Sequence, residues 1–200
     1  MTEQTAAPLR LFFMRHGETE WALSGQHTGR TDIPLTAHGE VQARALAPLL
    51  AAVSFNHVFS SPRQRAQHTA QLAGLGAQVV VEPSLAEWDY GDYEGLRSAE
   101  IKQQRPGWSI WRDGCPNGES VQDVTTRVDQ LIERLRQLHG NVALFAHGHL
   151  GAALATRWIN LELAAGQHFE LHPASLSILS YARNHAEIPV ISQWNVSPAL

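Results

Sequence analysis

The stretch Leu9-Arg10-Leu11-Phe12-Phe13-Met14-Arg15-His16-Gly17-Glu18-Thr19 decides the fold. Its short run of Leu, Phe and Met has the length of a buried strand and is too short for a typical helix. A buried strand is rigid, and in open α/β sheets ligands bind at the carboxyl ends of the strands. This end carries a permanent cation, an imidazole and a residue without a side chain. Arginine has a planar fork suited to phosphate or carboxylate. Histidine can be neutral and nucleophilic near pH 7. The tripeptide alone is also compatible with a surface Arg and a hydrogen-bonded His at a strand end.

Working outward, 200 residues suffice for one domain with a sizeable core. With 44% hydrophobic and 17% charged residues the chain is an ordinary globule, not a disordered segment. A net charge of −4 argues against a nucleic-acid partner or a membrane surface, so any anion site must be a local basic cluster. One cysteine, Cys115, cannot form an internal disulfide, which suits a cytoplasmic location. No apolar stretch is long enough to cross a bilayer. Residues 1–8 are small and polar, and are expected to form a flexible N-terminus. Residues 9–200 contain no repeat or linker and are expected to form a single domain.

After His16 the sequence predicts a loop over 17–35, with Gln26, Thr28, Gly29, Arg30 and Asp32. A helix follows from N-cap Thr36 to about Val53, kinked or shortened by Pro48. Residues 57–60 read as a second strand. Ser61-Pro62 reads as a helix start with Pro62 at the first position. Arg63 and Arg65 in that opening turn oppose the helix dipole, which a bound anion would explain. Residues 78–81 form a third strand. The stretch 85–95, rich in acids and aromatics, suits an ordered loop over a site. Residues 98–104 suit a short helix and 108–118 a second loop. Ser120 and Asp123 resemble a capping box. Val121, Val124, Val128, Leu131, Leu135 and Leu138 then make one helical stripe. Residues 141–146 form another apolar strand, ending in His147-Gly148-His149 and followed by helix through Leu161. Residues 175–181 and 190–196 read as late strands, and 190–196 at a sheet edge could pair two subunits in a homodimer. Strands alternating with helices imply an α/β fold: a mostly parallel central sheet with helices on both faces.

If His16 and His147 meet over the sheet edge with Arg15 and Arg63, the pocket fits a dianionic phosphoryl group. A neutral His16 nitrogen can attack phosphorus, giving a phosphohistidine. Arg15, Arg63 and His147 would offset charge on the equatorial oxygens. Glu87, a carboxyl in an aromatic loop near an anion, should have a raised pKa and can protonate the leaving oxygen. Neither a metal nor another cofactor is required. The His147-x-His149 spacing could suggest a metal pair, but no carboxylate at ligand spacing completes a set.

Arg15-His16-Gly17-Glu18-Thr19, Ser61-Pro62-Arg63, Glu87 before Tyr90-Gly91, Gly118-Glu119-Ser120 and His147-Gly148 resemble, in order, the motifs of the histidine phosphatase superfamily, also called phosphoglycerate-mutase-like. The resemblance implies that fold, with His16 as phosphorylated nucleophile, Arg15, Arg63 and His147 as the phosphate pocket and Glu87 as proton donor. The stretches 25–29, 87–95, 110–115 and 145–149 resemble its sedoheptulose-1,7-bisphosphatase-like branch. That implies hydrolysis of sugar phosphates or other small phosphorylated metabolites. It also implies substrate contacts from Thr28, Gly29, Tyr90 and Gly148, with Gln26, Trp88 and Arg112 as further candidates. Two other activities are weighed against a phosphatase. A cofactor-dependent phosphoglycerate mutase would carry asparagine where this chain has Ala22, and a long helical insertion. A non-catalytic phosphate-binding module would need neither His16 nor Glu87.

Overall fold

The computed structural model describes residues 7–199. Most of the expected flexible segment, 1–8, lies outside the described residues; within it, the Ala7 carbonyl accepts from the Gly140 N–H. The strands are β1 (Arg10–Arg15), β2 (His57–Ser60), β3 (Val79–Val81), β4 (Asn141–Ala146), β5 (Leu176–Ala182) and β6 (His185–Val196). They form one six-stranded sheet in the order β3-β2-β4-β1-β5-β6. The first four strands pair in parallel, and β5 and β6 add an antiparallel edge. The helices are α1 (Glu20–Ser24), α2 (Ala37–Ala45), α3 (Ala47–Leu50), α4 (Gln64–Leu72), α5 (Ser98–Gln104), α6 (Ile110–Asp113), α7 (Val121–Leu135) and α8 (Gly148–Trp158).

Strand β1 shows why the sheet is covered twice. Side chains alternate across a strand, and Leu11 and Phe13 enter one apolar cluster while Phe12 and Met14 enter another. The first cluster takes the α7 stripe Val124, Val128, Leu131 and Leu135 together with α8. The second takes Leu46, Leu50, Ala66 and Ala70 from the region of α2 to α4. Burying each large side chain contributes about 1.5–3 kcal/mol.

Several local expectations meet the structure directly. Thr36 caps α2 through the Gly39 N–H, and Ser120 with Asp123 forms a capping box on α7. The helix expected to reach Val53 breaks after Ala45, and Pro48 occupies the first turn of α3, where its missing N–H is harmless. Pro62 does not open α4. That helix begins at Gln64 with Arg63 as extended N-cap, and its first N–H is taken by the Asp32 carboxylate from the distant 17–35 loop. The predicted loops 17–35 and 108–118 contain the short helices α1 and α6. Strand β6 starts earlier than position 190 and lies at the sheet edge.

Candidate active site

Register places both predicted histidines at one edge. Strands β1 and β4 are parallel neighbours with Arg15 opposite Ala146, so each chain emits its histidine at the same level. The His16 N–H donates to the Ala146 carbonyl, and the two rings lie edge-on with centroids 5.3 Å apart. Both residues are buried.

The hydrogen bonds decide how each ring can act. His16 Nδ1 lies 2.7 Å from its neighbour Gly17 O. A carbonyl only accepts, so Nδ1 carries the proton and Nε2 holds the lone pair. Burial, with the Arg65 and Arg15 charges added, holds the His16 pKa well below the ordinary imidazole value, so the ring is neutral. His147 Nε2 meets Ser61 Oγ at 2.6 Å. Ser61 Oγ also accepts from the Arg63 N–H and has its own hydrogen to give to Nε2; in that arrangement the imidazole proton sits on Nδ1. His147 is likewise kept neutral, mainly by burial and the Arg65 charge.

The glycine after His16 serves packing. A Cβ on Gly17 would sit 2.3 Å from Gly39 O, so only glycine lets α2 close against the nucleophile loop. The Gly17 N–H donates to Thr69 Oγ1, whose hydroxyl donates to Arg65 O, tying this loop to α4.

Sequence reasoning brought one arginine from the second motif into the pocket; the structure brings two. Arg63 is half-buried at the start of α4, and its charge reaches His147 and Arg65. Arg65, left out of the pocket at first reading, has no exposed surface. Its guanidinium donates to Thr31 O and Thr28 O at 2.9 Å and to Gly29 O at 3.3 Å. Among the described residues, the buried side-chain atoms lacking a hydrogen-bond partner are Arg15 Nε, Arg63 Nε, Arg65 Nε, His147 Nδ1 and Ser175 Oγ. Native interiors leave few such groups. Three of these belong to Arg15, Arg65 and His147, next to His16, and a fourth to Arg63, whose charge reaches His147; donors of this kind suit an oxyanion.

Glu87 closes the site from the other side. Its carboxyl accepts from the backbone N–H groups of Trp88, His149 and Leu150 at 2.8–3.0 Å, the last two in the first turn of α8. Those bonds and the Arg65 charge favour the carboxylate, but burial outweighs them and raises its pKa. Burial thus makes Glu87 a stronger proton acceptor than an exposed carboxylate, beside the phosphoryl pocket.

A cleft of about 480 Å³ leads from His16 and Arg15 past Glu87 to the surface. Of the expected substrate contacts, Thr28, Gln26, Tyr90 and Gly148 line it. Tyr90 OH meets His149 Nδ1 at 2.6 Å. A Cβ at Gly148 would lie 3.4 Å from Arg15 Nε, so the small residue leaves that face of the guanidinium open. Gly29 packs behind the wall, its N–H on the Glu94 carboxylate. Trp88 is fully buried in the core with its indole N–H on Glu119 O, and Arg112 pairs with Asp113 at 2.9 Å; neither reaches the cleft. The sequence assigns pocket shape to the loops 24–31, 88–114 and 150–170 without singling out wall residues there; the structure supplies Trp111, Gly166, Gln167, Phe169 and Glu170 from them, and adds Trp21, His149 and Leu171. Among the described residues, no three His, Cys, Asp or Glu side chains could hold a metal ion together. No helix of the described residues is long and apolar enough to cross a membrane.

Comparison with known proteins identifies the family. The sequence profile of the histidine phosphatase superfamily (branch 1) matches residues 11–196. The acid phosphatase of Mycobacterium tuberculosis is 41% identical over 186 residues, 91% of each chain. The sedoheptulose 1,7-bisphosphatase of Saccharomyces cerevisiae is 37% identical over 185 residues, covering 76% of this chain and 68% of that protein. The solved structure of the open reading frame Rv3214 product from Mycobacterium tuberculosis superposes with a TM-score of 0.89 at 38% identity, covering 94% of this chain and 97% of that one. With matched motifs, a matched fold and nearly full-length coverage, the chain belongs to the histidine phosphatase superfamily, branch 1.

Proposed function

We propose that this protein hydrolyses phosphomonoesters of small phosphorylated metabolites, sugar phosphates among them, through a phosphohistidine and without a metal. The observation that carries the reading is a neutral His16 beside His147, under the charges of Arg15 and Arg65, with buried nitrogens on Arg15, Arg63, Arg65 and His147 left without partners. The His16 Nε2 lone pair attacks phosphorus as the ester P–O bond breaks. The departing oxygen takes the proton held on Glu87. The guanidinium groups and His147 Nδ1–H stabilise the equatorial oxygens, a task that needs no cation beyond them. Water then attacks the phosphohistidine, its proton passes to the Glu87 carboxylate, and the P–N bond electrons return to Nε2. A cytoplasmic setting belongs to the same reading and rests on the lone buried Cys115.

The test is phosphate release from an aryl phosphate. Turnover that survives EDTA, is inhibited by vanadate and leaves acid-labile phosphate on the wild-type chain but not on His16→Ala supports the reading. Loss of activity in EDTA, or parent-rate turnover by His16→Ala, overturns it.

A further inference from the structure

The two ends of the cleft differ in charge. Arg15 is the one Lys or Arg among the residues lining it, and its guanidinium is engaged at the phosphoryl end by Leu171 O and the field of Glu87. The wall's other charged side chains are carboxylates: Glu87 deep inside and Glu170 at the mouth, 82% exposed. Cations adjoining the wall lie outside the lining and pair at the exposed surface. Arg30, just past Thr28, binds Asp89 at 2.5 Å; Arg97, bridged to Gln26, binds Glu100 at 3.0 Å; Arg112, next to Trp111, binds Asp113. Arg63 serves the phosphoryl end, where its charge reaches His147. His27 and His149 bring no charge near neutral pH, since burial holds both pKa values at about 4. What the rest of the lining offers instead is apolar surface from Trp21, Trp111 and Phe169, with uncharged polar groups on Thr28 and Gln167.

From this distribution we infer that the cleft selects phosphomonoesters whose leaving group is uncharged and carries a ring or other apolar face, and rejects leaving groups bearing a second phosphate or a carboxylate. The inference rests on the hydrolase reading and narrows its substrate class. A second anion would leave water to meet no further cation in the lining, where the remaining charged side chains are carboxylates, so its desolvation is uncompensated. A ring presents C–H faces to the tryptophans, and its hydroxyls find Thr28 and Gln167. Sugar bisphosphates and phosphoglycerate therefore fall outside the preferred class.

Matched substrates test this. We expect kcat/KM for fructose 6-phosphate to exceed that for fructose 1,6-bisphosphate by about tenfold or more, and glycerol 3-phosphate to exceed 3-phosphoglycerate similarly, the effect of desolvating one charge without a partner. Gln167→Arg, at an exposed wall position, should narrow the bisphosphate gap by roughly fivefold. Equal or better turnover of the bisphosphate and of phosphoglycerate by the wild type overturns the inference. So does a bisphosphate gap that Gln167→Arg leaves unmoved. Calorimetric binding of the same four compounds to His16→Ala should give the same ranking. That arm decides the inference even if no ester, aryl phosphate included, is hydrolysed; such a failure would count against the hydrolase reading alone.

Discussion

Arg63 and Arg65 stand two residues apart, and the structure gives them unequal surroundings. Arg65 is wholly removed from solvent, with its guanidinium fixed by the carbonyls of Thr28, Gly29 and Thr31. Arg63 is half-buried at the helix start. Arg65→Lys keeps the charge but gives up the planar fork, so an ammonium cannot serve three fixed carbonyls and a phosphoryl oxygen at once. Losing one positioned donor to developing charge costs about 3–4 kcal/mol, a fall of roughly 10²–10³ in kcat. Arg63→Ala removes a partly solvated charge, about 1 kcal/mol and roughly fivefold at most. The assay is kcat/KM for an aryl phosphate with both variants. Thermal unfolding serves as the folding control. Each carbonyl left unpaired costs about 1–3 kcal/mol, and a chain of this length loses about 2–4 °C per kcal/mol. A well-folded Arg65→Lys that keeps activity within about threefold of wild type, or an Arg63→Ala that loses more than Arg65→Lys, would refute the assignment.

Three further outcomes follow from the same geometry. Glu87→Gln should slow alkyl phosphates by about 10² or more but aryl phosphates much less, because an aryl oxide leaves without a proton; equal slowing would remove Glu87 as the acid. His27 and His149, with folded pKa values of about 4 against 6.5 unfolded, bind fewer protons when folded. Their stabilisation is therefore complete above about pH 6.5 and is lost as pH falls toward about 4, on the order of 3 kcal/mol each. His16 and His147 act in the same direction, while the raised Glu87 acts oppositely and is stabilising only in acid. Urea midpoints should accordingly be lower at pH 5 than at pH 7.5, and an unchanged midpoint would sink the argument. Gly17→Ala forces its Cβ to within 2.3 Å of Gly39 O, so it should destabilise by about 2–3 kcal/mol and move His16. Wild-type activity and Tm in that variant would contradict the packing.

Much of the frame was legible because it rests on local rules. The apolar runs at 11–14 and 142–146, the stripe on α7, and the caps at Thr36 and Ser120 each depend on residues within a few positions of one another. The choice between Arg63 and Arg65 was harder, because two residues in a helix's first turns point different ways. Which one faces inward depends on where α4 starts, and Asp32 from a distant loop helps set that at Gln64. Trp88 looked like a site residue within its motif, yet its indole N–H is drawn into the core by Glu119 O.

By itself the sequence determined the alternation of buried strands and amphipathic helices, and the chemistry waiting at two strand ends, since period, caps and residue type act over short range. Only the tertiary structure decided that Arg15 and Ala146 share a register, that Arg65 turns inward, and that Trp111, His149 and residues 166–171 complete the wall. Those arrangements come from contacts between segments far apart in the chain, where packing and charge burial, not local preference, fix the lowest free energy.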